Sequence, residues 1–264
     1  MKKTIFLSLI IALVYVILSP TLLYIPTKTL LDFGFNSTNP IGLITYTFLH
    51  ISPSHLIGNL ILLLAVGFIA EKKLNYKQYY LVYLIAGATS AIVYSLLFPE
   101  NYLVGASAAI SALLAIAFII DIKKTFIMVL FASLIISLIS PELQALTQQK
   151  FNQLQNKSNQ LEQNLNQINA QIKKAKQLNK TDEIKKLIEN KSKQIQEYNK
   201  TTTQVLVVDE GMKREKHAQT SPLVHLTGAF TGLAYLFLFR RELVWKLPSQ
   251  IIPQNLLQKN LKKK

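Results

Sequence analysis

The sequence predicts an all-α membrane protein, in which six transmembrane helices form a bundle and an extramembrane helical hairpin is inserted between the fifth and the sixth. Half of the 264 residues are hydrophobic. Six apolar runs approach the ~20 residues that an α-helix needs to cross a bilayer. They lie at about 4–24, 52–70, 79–98, 104–120, 125–140 and 223–239. The stretch between the last two runs is rich in Gln, Asn and Lys and carries a heptad pattern.

The first run follows two lysines, as the apolar region of a signal peptide does. It is long for such a region, and no small-x-small cleavage site follows it. We therefore interpret this run as the first membrane helix.

The charge pattern predicts the orientation of the helices. The net charge is +15. Apart from Lys28, however, the basic residues outside the insert all fall on one side of the membrane if the runs alternate, which indicates a membrane protein and no nucleic-acid surface. They are Lys2, Lys3, Lys72, Lys73, Lys77, Lys123, Lys124, Arg240, Arg241, Lys246, Lys259, Lys262, Lys263 and Lys264. The short loops on the other side carry only Lys28. This pattern predicts a multi-pass protein of a bacterial inner (cell) membrane, with both ends of the chain cytoplasmic.

Four polar residues in three different runs fall at one predicted depth. At ~1.5 Å per residue, His55 and Asn59 lie roughly 24 and 18 Å above the cytoplasmic edge, Ser107 roughly 21 Å and His225 roughly 22 Å. Each polar group taken alone could bond a neighbouring helix. Because three helices carry such groups to one layer, and polar groups inside a membrane tend to be functional, the layer is predicted to be a site.

Ser107 is placed to act as a nucleophile. It follows Gly105 and the small Ala106 near a predicted helix start, where free N–H groups and the helix dipole stabilise negative charge. Small residues are also ordinary packing residues of membrane helices, so this motif by itself is a weak signal.

His225 is the candidate general base. It lies three residues before Gly228, which forms a GxxxG face with Gly232 and allows another helix to approach closely. If that helix is the fourth, His225 meets Ser107, and a serine beside a histidine is a nucleophile with its base.

The remaining polar residues of the layer complete the predicted chemistry. No acidic residue lies there, so a dyad is predicted, with His55, Asn59 and the Ser107 N–H as donors to an oxyanion. A metal site is disfavoured because His50 and His55 lie on different helix faces and the chain has no cysteine. We predict neither a metal nor a cofactor.

Three stretches resemble the rhomboid family of intramembrane serine proteases. They are TYTFLHISPSHLIGN (45–59), VGASAAISALL (104–114) and HLTGAFTG (225–232), in the order and on the helices expected of the family. The family's connection from helix two into helix three also resembles GFIAEKKLNYKQYYLVYLIAG (67–87). The resemblance covers about 1–140 and 222–240, and it implies a six-helix, rhomboid-like bundle that cleaves membrane-anchored proteins in or near a transmembrane segment.

The resemblance also implies a role for each matching residue. Ser107 matches the nucleophile and His225 the general base. His55 and Asn59 match the residues that stabilise the oxyanion. His50 matches a structural histidine, and Gly105 matches the glycine of the GxS motif.

Two positions depart from the family pattern and keep other functions open. Ala108 stands where glycine usually follows the serine, and Ser111 where an aromatic residue often stacks on the histidine. The chief alternative is a weak or inactive rhomboid-like protein that binds transmembrane helices, with the coiled coil as its adaptor. A transporter is a third possibility, but the runs hold no intramembrane carboxylate and no visible inverted repeat.

The predicted organisation has four parts. They are a rhomboid core at 1–140, an extracytoplasmic coiled-coil insert at 141–221, the sixth helix at 222–240 and a basic cytoplasmic tail at 241–264. The insert's first stripe contains Leu154, Leu161, Leu165, Ile168, Ile172 and Ala175, and its second contains Ile184, Ile188, Ile195 and Tyr198. A short extended segment is expected at 204–208. The insert is expected either to govern access to the site or to dock a protein partner, and the alternative is a solvated spacer.

Overall fold

The computed structural model describes residues 2–217 and 221–244, and these residues are mainly helical. The helices are α1 (Lys2–Leu18), α2 (Thr27–Phe33), α3 (Gly42–Thr45), α4 (Pro53–Ala70), α5 (Tyr76–Leu97), α6 (Ser107–Ile120), α7 (Ile122–Gln177), α8 (Thr181–His217), α9 (Pro222–Phe239) and α10 (Arg241–Val244), with a 3₁₀ turn at Tyr46–Phe48. Within the described ranges, extended pairing is limited to one antiparallel bridge between Phe35 and Leu103. Most of the predicted basic tail, from residue 245 onward, lies outside the described residues.

Within residues 2–217 and 221–244, four helices are long and apolar enough to cross a membrane, namely α4, α5, α7 and α9. The chain is thus an integral membrane protein by composition and fold. Two further apolar helices are shorter: α1 has 17 residues and α6 has 14. The first apolar run was expected to reach about residue 24, but α1 ends at Leu18, where Ser19 precedes Pro20 and a proline disfavours helical backbone at the residue before it.

Helix α6 lies in the centre of the bundle and packs against α4, α5 and α9. Its buried face combines alanines with larger aliphatic side chains such as Ile110, Leu113 and Ile116, all fully buried. Small side chains let neighbouring helices approach closely. Ser107, the first residue of α6, is thereby surrounded by the ends of other helices.

Contacts at one end of the bundle join the segments that the charge pattern places on one side. Lys3 donates from Nζ to the carbonyl oxygens of Glu71 (2.9 Å) and Leu74 (2.8 Å). Arg240, which follows α9, donates to the carbonyl oxygen of Lys73. The start of α1 and the ends of α4 and α9 therefore meet at the same end, as alternating spans require.

Helix α7 continues without a break from the apolar bundle into the insert. It passes through Pro141, so residues 125–140 and the first arm of the insert are one helix, and the predicted boundary at 140/141 is not a break in structure. Asp121 begins this helix by accepting a hydrogen bond from the Lys124 N–H at 2.9 Å, as an N-cap does.

The insert is a pair of antiparallel helices joined by a short turn at 178–180, where Asn179 has a positive φ of 51°. The heptad stripe expected in its first arm faces α8: Leu161, Ile168 and Ala175 are buried. A hydrogen bond of 3.1 Å between the hydroxyls of Ser158 and Thr202 ties the two arms together.

Two expectations for the second arm are wrong. Residues 204–208 belong to α8 and are not extended. Ile188 and Ile195 are 53% and 38% exposed, because the stripe facing α7 runs through other positions at regular 3/4 spacing. Those positions are Ile184, Leu187, Lys191, Gln194, Tyr198, Thr201, Val205 and Val208. Several of these residues are polar, so hydrophobicity alone did not reveal the register.

Candidate active site

Helices α6 and α9 touch backbone to backbone along the GxxxG face. A Cβ atom built on Gly228 would overlap the carbonyl oxygen of Ala108, and one on Gly232 would lie 2.5 Å from that of Ala112. No side chain larger than hydrogen fits at these positions without a shift of the helices. The expected packing of the helix that carries His225 on the helix that carries Ser107 is therefore present, and His225 lies one turn before the closest contact.

Ser107 begins α6 immediately after a strained turn. Gly105 has φ +110°, a conformation that side chains rarely adopt, and its N–H donates to the carbonyl oxygen of Tyr46 at 2.9 Å. The first intrahelical bond runs from the Ile110 N–H to the Ala106 carbonyl at 2.9 Å. The N–H groups of residues 107–109 thus have no partner within the helix and surround the Ser107 hydroxyl with partial positive charge.

The His55 ring lies directly on Gly105. A Cβ atom on this glycine would be 2.7 Å from both Cε1 and Nε2 of His55, so the glycine supplies the space that the ring occupies. The His55 ring also packs on the buried His50, with ring centroids 4.9 Å apart at 57°. Among the described residues, Nδ1 of His55 has no hydrogen-bond partner.

One cavity of about 800 Å³ brings the predicted residues together. Ser107, His225 and His55 all line it, although they come from three helices. Asn59 and His50 are not among its lining residues. Asn59 is buried, and its Nδ2 donates to the carbonyl oxygen of His55 at 2.9 Å, so it supports the helix backbone beneath the ring.

Within the described residues, no hydrogen bond joins the Ser107 hydroxyl to the His225 ring. Catalytic hydrogen bonds are often long in unliganded enzymes and tighten when substrate binds. The cavity is lined by a hydroxyl at a helix N-terminus and by two imidazoles, the half-buried one of His225 and the one of His55. Such a set can carry out nucleophilic attack, proton transfer and oxyanion stabilisation.

Comparison with protein families shows that residues 37–151 match the Rhomboid domain. This match supports a rhomboid-family protein. The matched range contains His55, Asn59 and Ser107 and ends within α7, whereas His225 lies beyond it. Comparisons with curated proteins and with solved structures found no match.

The two departures from the rhomboid pattern have clear local environments. Gly228 meets Ala108 through the carbonyl group and Cα of the alanine, and its methyl group is not among the three nearest atoms. The extra methyl therefore coexists with close helix contact. Ser111 turns its hydroxyl back to the carbonyl oxygen of Ser107, one turn earlier, at 2.8 Å.

The end of the insert also reaches this rhomboid site, which the sequence did not predict. Arg214 and Glu215, in the last turns of α8, line the same cavity as Ser107. Burial lowers the pKa of the Arg214 guanidinium from its ordinary value, while the nearby Glu210 carboxylate acts in the opposite direction. An acidic side chain is thus present at the cavity, but it comes from the insert and contacts the start of α4. Its position within a run of charged residues gave no signal of this role.

Proposed function

We propose that the chain is an intramembrane serine endopeptidase that uses Ser107 and His225 as a catalytic dyad. The observation that carries this proposal is the shared cavity: three helices distant in sequence contribute Ser107, His225 and His55 to one space. Close contact between α6 and α9 at Gly228 supports the pairing of the first two. The match of residues 37–151 to the Rhomboid domain supports the reaction class.

In the proposed reaction, His225 takes the proton from the Ser107 hydroxyl as the serine oxygen attacks the scissile carbonyl carbon. The tetrahedral intermediate collapses to an acyl-enzyme, and His225 gives its proton to the leaving amine. Water then attacks the ester, with His225 again accepting a proton, and hydrolysis regenerates Ser107. No acidic partner orients His225 in this scheme, so helix packing must hold the ring.

The negative charge of the intermediate is stabilised by the N–H groups at the start of α6 and by the His55 ring. His55 is favoured as the main side-chain donor because its ring lies on Gly105 and borders the cavity. Asn59 is assigned a secondary role, since its amide is engaged with the His55 carbonyl oxygen.

Rhomboid-family proteins act on membrane proteins within the bilayer, and we propose transmembrane segments of membrane-anchored proteins as substrates. In the proposed topology, α1 and α6 add two short spans to the four longer ones. Both ends of the chain then face the cytoplasm of a bacterial inner membrane. The positive-inside pattern supports this orientation.

We assign the insert, residues 141–221, to the extracytoplasmic side as a coiled-coil hairpin. The buried heptad residues of α7 and their contact with α8 support this assignment. The insert separates a core of 1–140 from the sixth helix at 222–240. Its exposed arms are available to a protein partner.

A weakly active or inactive membrane-helix-binding protein is the second candidate. The absence of a Ser107–His225 hydrogen bond within the described residues favours it, as does the missing aromatic residue at Ser111. This candidate has the same fold and cavity as the protease, but in it Ser107 forms no covalent intermediate.

A fluorophosphonate probe separates the two candidates. The purified protein in detergent should be labelled at Ser107, and it should cleave a model transmembrane substrate. Ser107→Ala and His225→Ala should each abolish cleavage while leaving the melting temperature near that of the wild type. Ser111→Ala is the matched control, since it removes a hydroxyl one turn away in the same helix. A folded protein that neither labels nor cleaves would establish the binding function instead.

A further inference from the structure

The last two turns of α8 are fastened to the start of α4 and to the loop after α1. The carboxylate of Glu215 accepts hydrogen bonds from the hydroxyls of Ser52 (2.6 Å), Ser54 and Tyr24 (2.5 Å). One turn earlier, Gly211 lies against the Tyr24 ring, where a Cβ atom would overlap the ring carbons. We call the contacts of Gly211 and Glu215 the α8 clamp.

Two further bonds attach α8 beside the clamp. Arg214 donates from Nη2 to the carbonyl oxygen of Ile25 at 2.6 Å, and Glu210 accepts from the Thr27 hydroxyl at 2.6 Å. Of these two residues, Glu210 is exposed and is not among the residues that line the cavity, whereas Arg214 lines it. The attachment of α8 therefore includes one residue at the cavity, Arg214, and one away from it, Glu210.

We propose that Glu215 is a positioning residue that holds His55 in place for oxyanion stabilisation, an inference that rests on the proposed protease function. The connection runs through Ser52, the N-cap of α4. The Ser52 hydroxyl donates to Glu215 and at the same time accepts from the His55 N–H at 3.2 Å. The carboxylate thus fixes the side chain that caps the helix at His55.

A carboxylate suits this position better than any neutral side chain. All three of its partners are hydroxyl donors, and an ionised carboxylate is acceptor-only with two oxygens. Burial, and secondly the bond to Glu215, raise the pKa of Tyr24 above its ordinary value, so this phenol keeps its proton. Glutamine has the same shape but only one acceptor oxygen, and its NH₂ group would face a donor.

The clamp is compatible with an accessible site. With all of its bonds formed, the cavity still measures about 800 Å³ and exposes Ser107 and His225 as lining residues, a volume within the usual range of ligand sites, ~300–1,000 Å³. The clamp therefore shapes the site in a state that can admit a peptide. This geometry indicates that the clamp positions residues of the site and does not keep the site closed.

Three variants test the role of Glu215 by steady-state cleavage of a model transmembrane substrate. Removing an oxyanion donor lowers turnover by ~100–1000-fold. Displacing the donor should lower turnover by less. We expect Glu215→Gln to lower kcat by about 10-fold with KM within about twofold. Glu215→Asp keeps the carboxylate and should recover most of the rate. Glu210→Gln is the matched control and should stay within about twofold of the wild type.

A double-mutant cycle separates positioning from a general structural effect. If Glu215 acts through His55, then Glu215→Gln should change kcat by less than about twofold in a His55→Ala background. Hydrogen exchange at the His55 amide gives a readout that needs no activity. It should be faster in Glu215→Gln than in Glu210→Gln or the wild type, with similar melting temperatures.

Several outcomes would overturn the inference. The first is a Glu215→Gln variant that matches Glu210→Gln in both kcat and amide exchange. The second is a double mutant in which the losses of kcat from Glu215→Gln and His55→Ala add fully. The third is an increase in cleavage by Glu215→Gln, which would show that the α8 clamp blocks the site. A wild-type protein without cleavage or probe labelling would instead refute the proposed function. In that case the exchange at His55 still decides whether Glu215 holds the start of α4.

Discussion

A single methyl group added at Gly228 should push α6 and α9 apart and disable the dyad. Real Cβ contacts closer than 3.0 Å are essentially absent from proteins, and the Cβ of an alanine at position 232 would already need the Ala112 oxygen, 2.5 Å away, to move by 0.5 Å. The overlap at Gly228 is larger. Relieving it requires a displacement on the order of 1 Å, a misplacement that can cost ~100-fold in rate.

Gly228→Ala should therefore lower the single-turnover cleavage rate in proteoliposomes by about 100-fold. Gly232→Ala should lower it less, because the helices have less far to move and the change is one turn further from His225. Fluorophosphonate labelling should fall in the same order. Overpacking also destabilises proteins by ~1–3 kcal/mol, so melting temperatures are needed to separate displacement from unfolding.

Gly58→Ala is the matched control for this series. It makes the same substitution in a membrane helix, but the new Cβ would meet only the Ile136 Cγ2 atom at 3.9 Å, an ordinary contact. Cleavage should stay near the wild-type rate, and the protein should gain stability, since alanine is a better helix former than glycine by ~1 kcal/mol. A folded Gly228→Ala protein that cleaves at the wild-type rate would show that close contact between α6 and α9 does not place His225.

Three more predictions concern the oxyanion donors, Ala108 and the insert. His55→Ala should cost ~100–1000-fold in turnover and Asn59→Ala clearly less, and equal losses would contradict the assignment of His55 as the main donor. Ala108→Gly should leave cleavage within about threefold of the wild type, because the alanine approaches Gly228 through its backbone; a large gain in rate would show that the methyl group is inhibitory. Protease added outside intact cells should trim residues 141–221. If these residues are cut in the purified protein but fully protected in intact cells, the proposed topology is reversed.

The three residues that line the cavity could be grouped from the sequence because predicted spans, charge bias and depth all follow from local sequence. Ser107, His55 and His225 needed only the positions of the runs and the positive-inside pattern to fall at one level. The GxxxG spacing then indicated which face of the last helix approaches its neighbour. The structure adds what local sequence does not contain, namely that Asn59 bonds the His55 carbonyl and does not line the cavity.

The parts that sequence could not predict depend on contacts between distant segments. Ser52 and Glu215 are 163 positions apart, and a glutamate among charged residues ordinarily indicates a solvated surface. The register of α8 was equally hidden, because its buried stripe includes Lys191 and Gln194 while Ile188 is exposed. Tertiary contacts, and not the hydrophobicity of the side chains, determine which of these residues are buried.

An insert of this length can interrupt the core because its first arm starts at the cavity and its second arm ends there. Ser140 and Gln144 of α7 and Arg214 and Glu215 of α8 line the same space. A hairpin with a short distal turn returns the chain to its starting point, so α9 can begin beside α6 whatever the length of the arms. The bonds of Glu215 to the start of α4 then hold the returning chain ten residues before His225. The segment that interrupts the family pattern is thereby also the segment that holds the two halves of the proposed site together.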